Sequence, residues 1–430
     1  MTGSPASEEK RILMVAYHFP PASGSSGHLR TLSFVRELPR HGWQPIVLTA
    51  AKIAYPSTTE SSLAEIPADI SVHRAWALDA ARHLAIRGRY LRRAALPDRW
   101  ANWVLAGVPT GLALIVRYRP RVIWTTYPIA TAHLIGLVLH KLTGIPWIAD
   151  FRDPMIEVDP YTGERAPSDP DLWKVRSWIE SRVIRNSSRS VFVTSGARRI
   201  CRENYPDMPL EKMALVPNGY DESSFVEAEK RFMAVNEKKS GPAVLLHSGL
   251  LYPTPDRDPK DFFQALVMLK QERVISPQSL RVVLRASGYE ERYRAEIQRL
   301  GLEEIVHLEP SIPYAEALSE MLHADGLLLF QGYTSNPAIP AKLYEYLRAR
   351  RPIFALVHED GDTAATLRSE GVGSIVPLNS PHQIATGLKQ FLEDVRECVA
   401  PVASFEALHK HSRETHAAEM ARLLEDVVPK

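Results

Sequence analysis

The feature that most constrains this chain is an alternation. Short apolar runs, each too short for a helix, are followed from residue 12 to residue 376 by longer segments with apolar residues at helical spacing. Runs at 12–17, 122–126, 190–194, 280–284 and 326–330 are predominantly apolar. Repeated strand–helix units of this kind imply parallel strands covered by helices on both faces, a doubly wound α/β sheet. The alternation pauses near residue 219 and restarts at Ala243. A chain of 430 residues exceeds one ordinary domain, so two such domains in series are expected.

The first series opens on the strand at 12–17 and runs into Pro20-Pro21-Ala22-Ser23-Gly24-Ser25-Ser26-Gly27, after which Leu29, Leu32, Val35 and Leu38 have helical spacing. Gly24 and Gly27 let backbone N–H groups approach a ligand closely, although the spacing is not the dinucleotide GxGxxG; a tight surface turn is the plainer reading. Further strands are expected at 44–49, 122–126, 146–150, 190–194 and 214–219. Asp150-Phe151-Arg152-Asp153-Pro154 ends one of them, and carboxyl ends of parallel strands face the ligand crevice in open α/β sheets. Arg152 pairing with the flanking acids to brace a loop is the alternative.

Between these units Arg82, Arg87, Arg89, Arg92, Arg93 and Arg99 precede Trp100, Trp103 and an apolar run at 104–116. Asn102, Pro109 and Thr110 interrupt that run, which falls short of the roughly 20 apolar residues of a spanning helix. A basic, Trp-bearing surface favours anionic lipid headgroups, so a peripheral membrane contact through residues 82–103 is expected, against a core helix with a solvated Arg face. The net charge of +2 gives no overall pull toward nucleic acid. The two cysteines, Cys201 and Cys398, lack CxxC spacing, which disfavours zinc or a disulfide framework. The polar residues 1–11 do not follow the order of a secretory signal, and a cytoplasmic protein, at the inner face of the membrane if the contact forms, is the expectation.

In the second series, strands are expected at 244–249, 280–284, 305–308, 326–330, 352–356 and 373–376, with helices between them. Its centre is Asn336-Pro337-Ala338-Ile339-Pro340-Ala341-Lys342-Leu343-Tyr344-Glu345-Tyr346-Leu347, a proline-confined loop followed by a helix start. Unpaired N–H groups of a first helical turn, with Lys342 beside them, suit a diphosphate, and Glu345 one turn on suits a pair of sugar hydroxyls. Together they describe a nucleotide-sugar site; an ordinary helix with surface Lys and Glu remains the alternative. Residues 229–241, rich in Glu and Lys, read as a linker between a first domain at 1–228 and a second at 242–402. Residues 403–430 carry Leu408, Ala417, Met420 and Leu424 at helical spacing and are expected to return as a helix to the first domain.

The glycine loop, Val216-Pro217-Asn218-Gly219-Tyr220-Asp221, the restart at Gly249 and the segment 340–347 together resemble the family 4, or group 1, glycosyltransferases. His18-Phe19-Pro20-Pro21 and Ala149-Asp150-Phe151-Arg152-Asp153-Pro154 look like a bacterial branch associated with exopolysaccharide and lipopolysaccharide assembly. The resemblance implies the GT-B fold, two facing Rossmann-like domains with the nucleotide sugar mainly on the second and the acceptor mainly on the first. It also implies a hexosyltransferase-like, anomer-retaining enzyme with neither cofactor nor metal, using a nucleoside-diphosphate sugar, UDP expected, and a glycan or lipid-linked acceptor.

Carried over by position, the resemblance implies Arg257 and Lys342 as phosphate cations, Asp150 as the catalytic-side polar residue of the first domain, and Glu345 on the ribose. It places Gly24, Gly27, Gly249, Gly288, Asn336, Ile339 and Pro340 around the donor and Arg30, Arg152 and Asp153 on the acceptor side. The family's Gly-Arg after the restart strand is Gly249-Leu250 here, and the first Glu of its Glu-x7-Glu pattern is Pro337. A nucleotide-sugar epimerase or hydrolase of the same fold, and a non-catalytic scaffold, stay open as alternatives.

Overall fold

The computed structural model describes residues 10–23, 27–85, 87, 89–159, 162–233 and 241–429. Its contacts divide the chain into two compact units, residues 1–217 with 413–430, and residues 218–412.

The first unit holds a seven-stranded sheet of β1 (Lys10–Val15), β2 (Trp43–Ala50), β3 (Ser71–Ala75), β4 (Val122–Thr126), β5 (Trp147–Arg152), β8 (Arg189–Phe192) and β9 (Met213–Leu215). A two-stranded hairpin, β6 (Glu157–Val158) and β7 (Arg165–Ala166), stands apart from it. The sheet order is β3-β2-β1-β4-β5-β8-β9, with every neighbour parallel. Residues of β1 show why the run is apolar throughout. Leu13 and Val15 enter one core with Trp103, Ile135 and Trp147, whereas Ile12 and Met14 enter the other with Phe34, Trp124 and Ile148.

The second unit repeats the plan with β10 (Ala243–Ser248), β11 (Leu280–Arg285), β12 (Val306–Glu309), β13 (Gly326–Gln331), β14 (Ile353–Val357) and β15 (Ser374–Val376) in the order β12-β11-β10-β13-β14-β15, again all parallel. In both sheets the strand order reverses beside the first strand of the series, at β1/β4 and at β10/β13. Open α/β sheets bind ligands at the carboxyl ends of strands at such a reversal.

The chain leaves the first unit at Pro217, eleven residues before the boundary expected from composition. The cause is the helix Glu222–Met233, which puts Phe225 and Ala228 into the second unit's core. Arg348 holds that helix by pairing with Glu222 at 2.6 Å and Glu229 at 2.7 Å. Thus residues 229–233 of the expected linker are helical, and 234–240 lie outside the described residues. The end of the chain forms two helices. Phe405–Lys410 packs Ala407 and Leu408 into the second unit, and Arg413–Val427 returns to the first. Ala417, Met420 and Leu424 join Phe34, Leu38 and Trp43 there, and Glu425 accepts from Trp43 Nε1 at 2.9 Å.

Candidate functional site

In the second unit β10 ends on His247-Ser248, and the chain turns at Gly249 with φ +117°, a conformation that L side chains rarely adopt. β13 ends on Gln331, and the loop 332–341 then leads into the eight-residue helix Lys342–Ala349. Lys342 reaches back from that helix to β10, where its Nζ lies 3.2 Å from Nε2 of His247. His247 is fully buried, and its Nδ1 sits 2.9 Å from the carbonyl of Leu328. A carbonyl only accepts, so Nδ1 carries the ring proton and Nε2 presents a lone pair to the lysine.

The electrostatics are set by burial. Desolvation, with Arg257 adding to it and Glu345 opposing, lowers Lys342 to about 7. Burial, then the charge of Lys342, also holds His247 well below its ordinary value. Arg257, on the loop between β10 and the helix Lys260–Gln271, lies over the Tyr252 ring at 5.5 Å and donates to Asp256 at 3.1 Å. The two cations expected to grip phosphate are therefore neighbours at the strand-order reversal.

The loop before Lys342 is pinned from beneath. Gln331 Nε2 donates to the carbonyls of Ser335 and Ala338, at 2.7 and 2.9 Å, and Thr363 donates to Gln331 Oε1 and to Ala338. The Asn336 carbonyl accepts from the Asp362 N–H at 2.9 Å, Pro340 accepts from the Leu343 N–H at 2.9 Å, and Ile339 packs against the core. Glu345 accepts from the Tyr314 hydroxyl at 2.7 Å. Gly288 follows β11 with φ +64°, and its N–H donates to Glu290. A cavity of about 240 Å³ is lined by Pro253, Pro255, Asp258, Gly332, Tyr333 and His358 among others, and neither Lys342 nor Glu345 lines it.

In the first unit the expected site residues divide. Arg30 and Asp150 are buried together in a two-pronged pair, with both bonds at 2.9 Å, and Arg30 also donates to the carbonyls of Val216 and Pro217. Asp150 accepts from Thr126 as well. Both side chains are buried and engaged, Arg30 through four of its five N–H donors, and together they brace the carboxyl end of β5. Arg152 has φ +55° at a register shift in β5 and donates to the Gly27 carbonyl at 2.8 Å, and Asp153 beside it is exposed. Gly27 starts the helix Gly27–Glu37, and Gly24 lies outside the described residues. His18, near Arg152, is pushed down to about 4 by burial, then by Arg152 and His28.

The basic, aromatic segment is divided between core and surface. Trp103 is fully buried in the core, and Trp100 packs on Tyr17 and donates to the Ala54 carbonyl. Arg82 is bound to the Tyr55 carbonyl, Arg92 to Asp169 and Arg99 to Asp79. Arg87, Arg89 and Arg93 stay exposed around Leu91, which is 81% exposed. No helix among the described residues is long and apolar enough to cross a membrane.

Residues 27–219 match the family described as Glycosyl transferase 4-like domain. This segment is a glycosyltransferase domain of that type. Among solved structures, it is similar to a glycosyltransferase from Rickettsia africae (13% identity, TM-score 0.68, covering 99% of this chain and 100% of that one). Sucrose-phosphate synthase from Thermosynechococcus elongatus is similar at 15% identity and TM-score 0.65, covering 97% and 98%. The Anabaena protein HepE, solved with UDP, is similar at 14% identity and TM-score 0.64, covering 97% and 100%. At these identities the likeness is one of fold, and that fold is the GT-B pair of Rossmann-like domains. No curated protein sequence matches the chain.

Proposed function

We propose that this glycosyltransferase moves a sugar from a nucleoside-diphosphate sugar, with UDP the expected nucleotide, to a hydroxyl of a glycan or lipid-linked acceptor, with retention of the anomer and as a step in surface polysaccharide assembly. The observation that carries the reading is the convergence of Lys342, Arg257 and the first turn of the helix Lys342–Ala349 at the strand-order reversal of the second unit. As the glycosidic bond to the diphosphate lengthens, negative charge grows on the leaving phosphate and positive charge on the sugar ring. Preorganised cations and N–H dipoles act most strongly on that developing charge. Lys342 and Arg257 are assigned to it, in a proposal that uses no metal. Glu345, oriented by Tyr314, is assigned to a pair of ribose hydroxyls. Gly249, Gly288, Asn336, Ile339 and Pro340 shape the surrounding backbone, with Gly27, Arg152 and Asp153 assigned to substrate contacts on the first unit and Asp150 and Arg30 to bracing.

HepE structures contain UDP and UDP-glucose, and UDP-glucose is therefore the first donor to test. Lys342→Ala and Arg257→Ala should each lower turnover on the order of 10²-fold, the scale of losing one such stabilising donor. Glu345→Ala should raise the donor KM at least as clearly as it lowers kcat. Normal turnover in both cation variants at saturating substrates, or a product of inverted anomeric configuration, would overturn the assignment.

A further inference from the structure

We propose that His247 is the resting seat of Lys342, and that the lysine leaves this seat for the donor diphosphate with uptake of a proton from solvent. The proposal rests on the nucleotide-sugar reading above and adds a residue and a proton to it. Four observations carry it. His247 is fully buried at the end of β10, where a strand with two buried faces would ordinarily place an aliphatic side chain. Its ring is fixed from behind by the Leu328 carbonyl and packs edge-on against Phe330 at 5.1 Å, so Nε2 has one orientation. That nitrogen meets the lysine ammonium at 3.2 Å and is its only side-chain acceptor among the described residues. Gly249 clears the way, because any Cβ there would stand 2.9 Å from Nζ.

The surrounding charges explain why a proton is involved. Arg257, on the 249–259 loop, repels the ammonium, while its own partner Asp256 lies beside it. Glu345, on the lysine's own helix, favours the charged form but is engaged by Tyr314, and Tyr346 on that helix points its hydroxyl at the Ser248 N–H. At the end of β11, Arg285 is neutralised by Glu320. Neutral His247 contributes a lone pair and no charge. These surroundings therefore hold Lys342 at about 7, divided between the two protonation states near neutral pH. A diphosphate beside it favours the ammonium, which gains a full opposite charge and keeps none of the repulsion from Arg257 unscreened. The proton enters from solvent on binding and returns to solvent when the nucleoside diphosphate leaves; no other bond is made or broken.

An intact nucleotide sugar is the right probe, because its diphosphate diester does not itself titrate near neutrality. Calorimetric titration of the full chain with UDP-glucose, with GDP-mannose and ADP-glucose in parallel, is run in buffers of different ionisation enthalpy from about pH 6 to about pH 8.5. Expected are close to zero protons taken up at the acid end, approaching one at the alkaline end, and an affinity that falls by up to about tenfold per pH unit above about 7. His247→Leu, which removes an acceptor that serves only the unbound state, should tighten UDP-glucose binding by up to roughly tenfold, and His247→Gln, whose amide oxygen reaches a similar point, should return it most of the way to wild type. A wild-type affinity and proton count that do not change over this range would overturn the proposal and leave the nucleotide-sugar reading standing, and so would a folded His247→Leu variant that binds like wild type. If none of the three sugars binds at any pH, the underlying reading fails and takes this proposal with it. Should His247→Leu not fold, the wild-type proton count alone decides.

Discussion

The ammonium of Lys342 lies directly over the backbone of Gly249, so close that a methyl group on that glycine would stand 2.9 Å from Nζ. Two segments ninety-three residues apart in sequence are thereby made to fit each other, the turn after β10 and the helix after β13. Replacing Gly249 with Ala also meets a φ of +117°, which costs strain for any L side chain. Gly249→Ala is expected to displace Lys342 and weaken UDP-glucose affinity by roughly tenfold or more, the scale of one lost charge-assisted contact. Calorimetry beside a thermal melt checks this, and unchanged affinity in a folded variant would contradict it.

Asp150 and Arg30 offer a second test, because bracing and chemistry predict different symptoms. Asp150→Ala leaves a buried guanidinium without its carboxylate, which should cost on the order of 3–5 kcal/mol of stability. Denaturant unfolding measures it. A variant of wild-type stability that had lost all turnover would return Asp150 to a catalytic role.

Glu180 gives a pH-dependent prediction. It is buried between the N–H groups that follow β5 and the Tyr205 hydroxyl, and burial raises it to about 7 from an ordinary value of 4.5. Its folded form thus holds a proton more tightly than the unfolded chain does. The sign follows: stability is greatest below about pH 4.5 as far as this group is concerned, and is lost as pH rises to about 7, by roughly 3 kcal/mol in all. Glu180→Gln can accept from the same N–H groups and donate to Tyr205, and should remove this slope. Unfolding free energies from about pH 5 to about pH 8 check it; equal slopes in both proteins would contradict the account.

These residues also mark where the sequence was legible. Predominantly apolar runs announced most strands, since few polar residues interrupt them, and the loop into Lys342 announced itself by its prolines. β3 was missed because Ser71-Val72-His73-Arg74-Ala75 is a half-exposed edge strand with little apolar signal. His247 was read as part of a strand, and only the return of Lys342 to β10 gives it a purpose. Thr363 and Glu180 act through backbone groups 25 residues away, and Gln331 through carbonyls of the loop that follows it, which no apolar spacing reveals. Trp103 shows the opposite error: an aromatic beside arginines read as a membrane anchor, yet its large apolar surface is worth more in the core. The place of Asp150 at the end of a strand was legible, whereas its partner Arg30 lies 120 residues away and was not.

The remaining arginines carry the membrane prediction. Arg87, Arg89 and Arg93 are exposed around Leu91, and each cation near an anionic surface is worth about 1 kcal/mol. The chain should float with vesicles rich in anionic lipid at low salt, and the combined replacement of these three residues by Gln should abolish flotation. Binding that is unchanged by the replacement, or absent in the wild type, would contradict a contact through this segment. The partnered Arg82, Arg92 and Arg99 should matter less for flotation and more for stability.

The central claim is that the second unit grips a nucleoside diphosphate through Lys342 and Arg257. Equilibrium binding of UDP-glucose, GDP-mannose and ADP-glucose to the full chain, compared with Lys342→Ala and Arg257→Ala at about pH 6.5 where the lysine is largely charged, tests it most directly. The account predicts that one of these sugars binds the wild type and that each variant weakens it by about tenfold or more. Failure of all three to bind, or equal affinity in wild type and both variants, would contradict it.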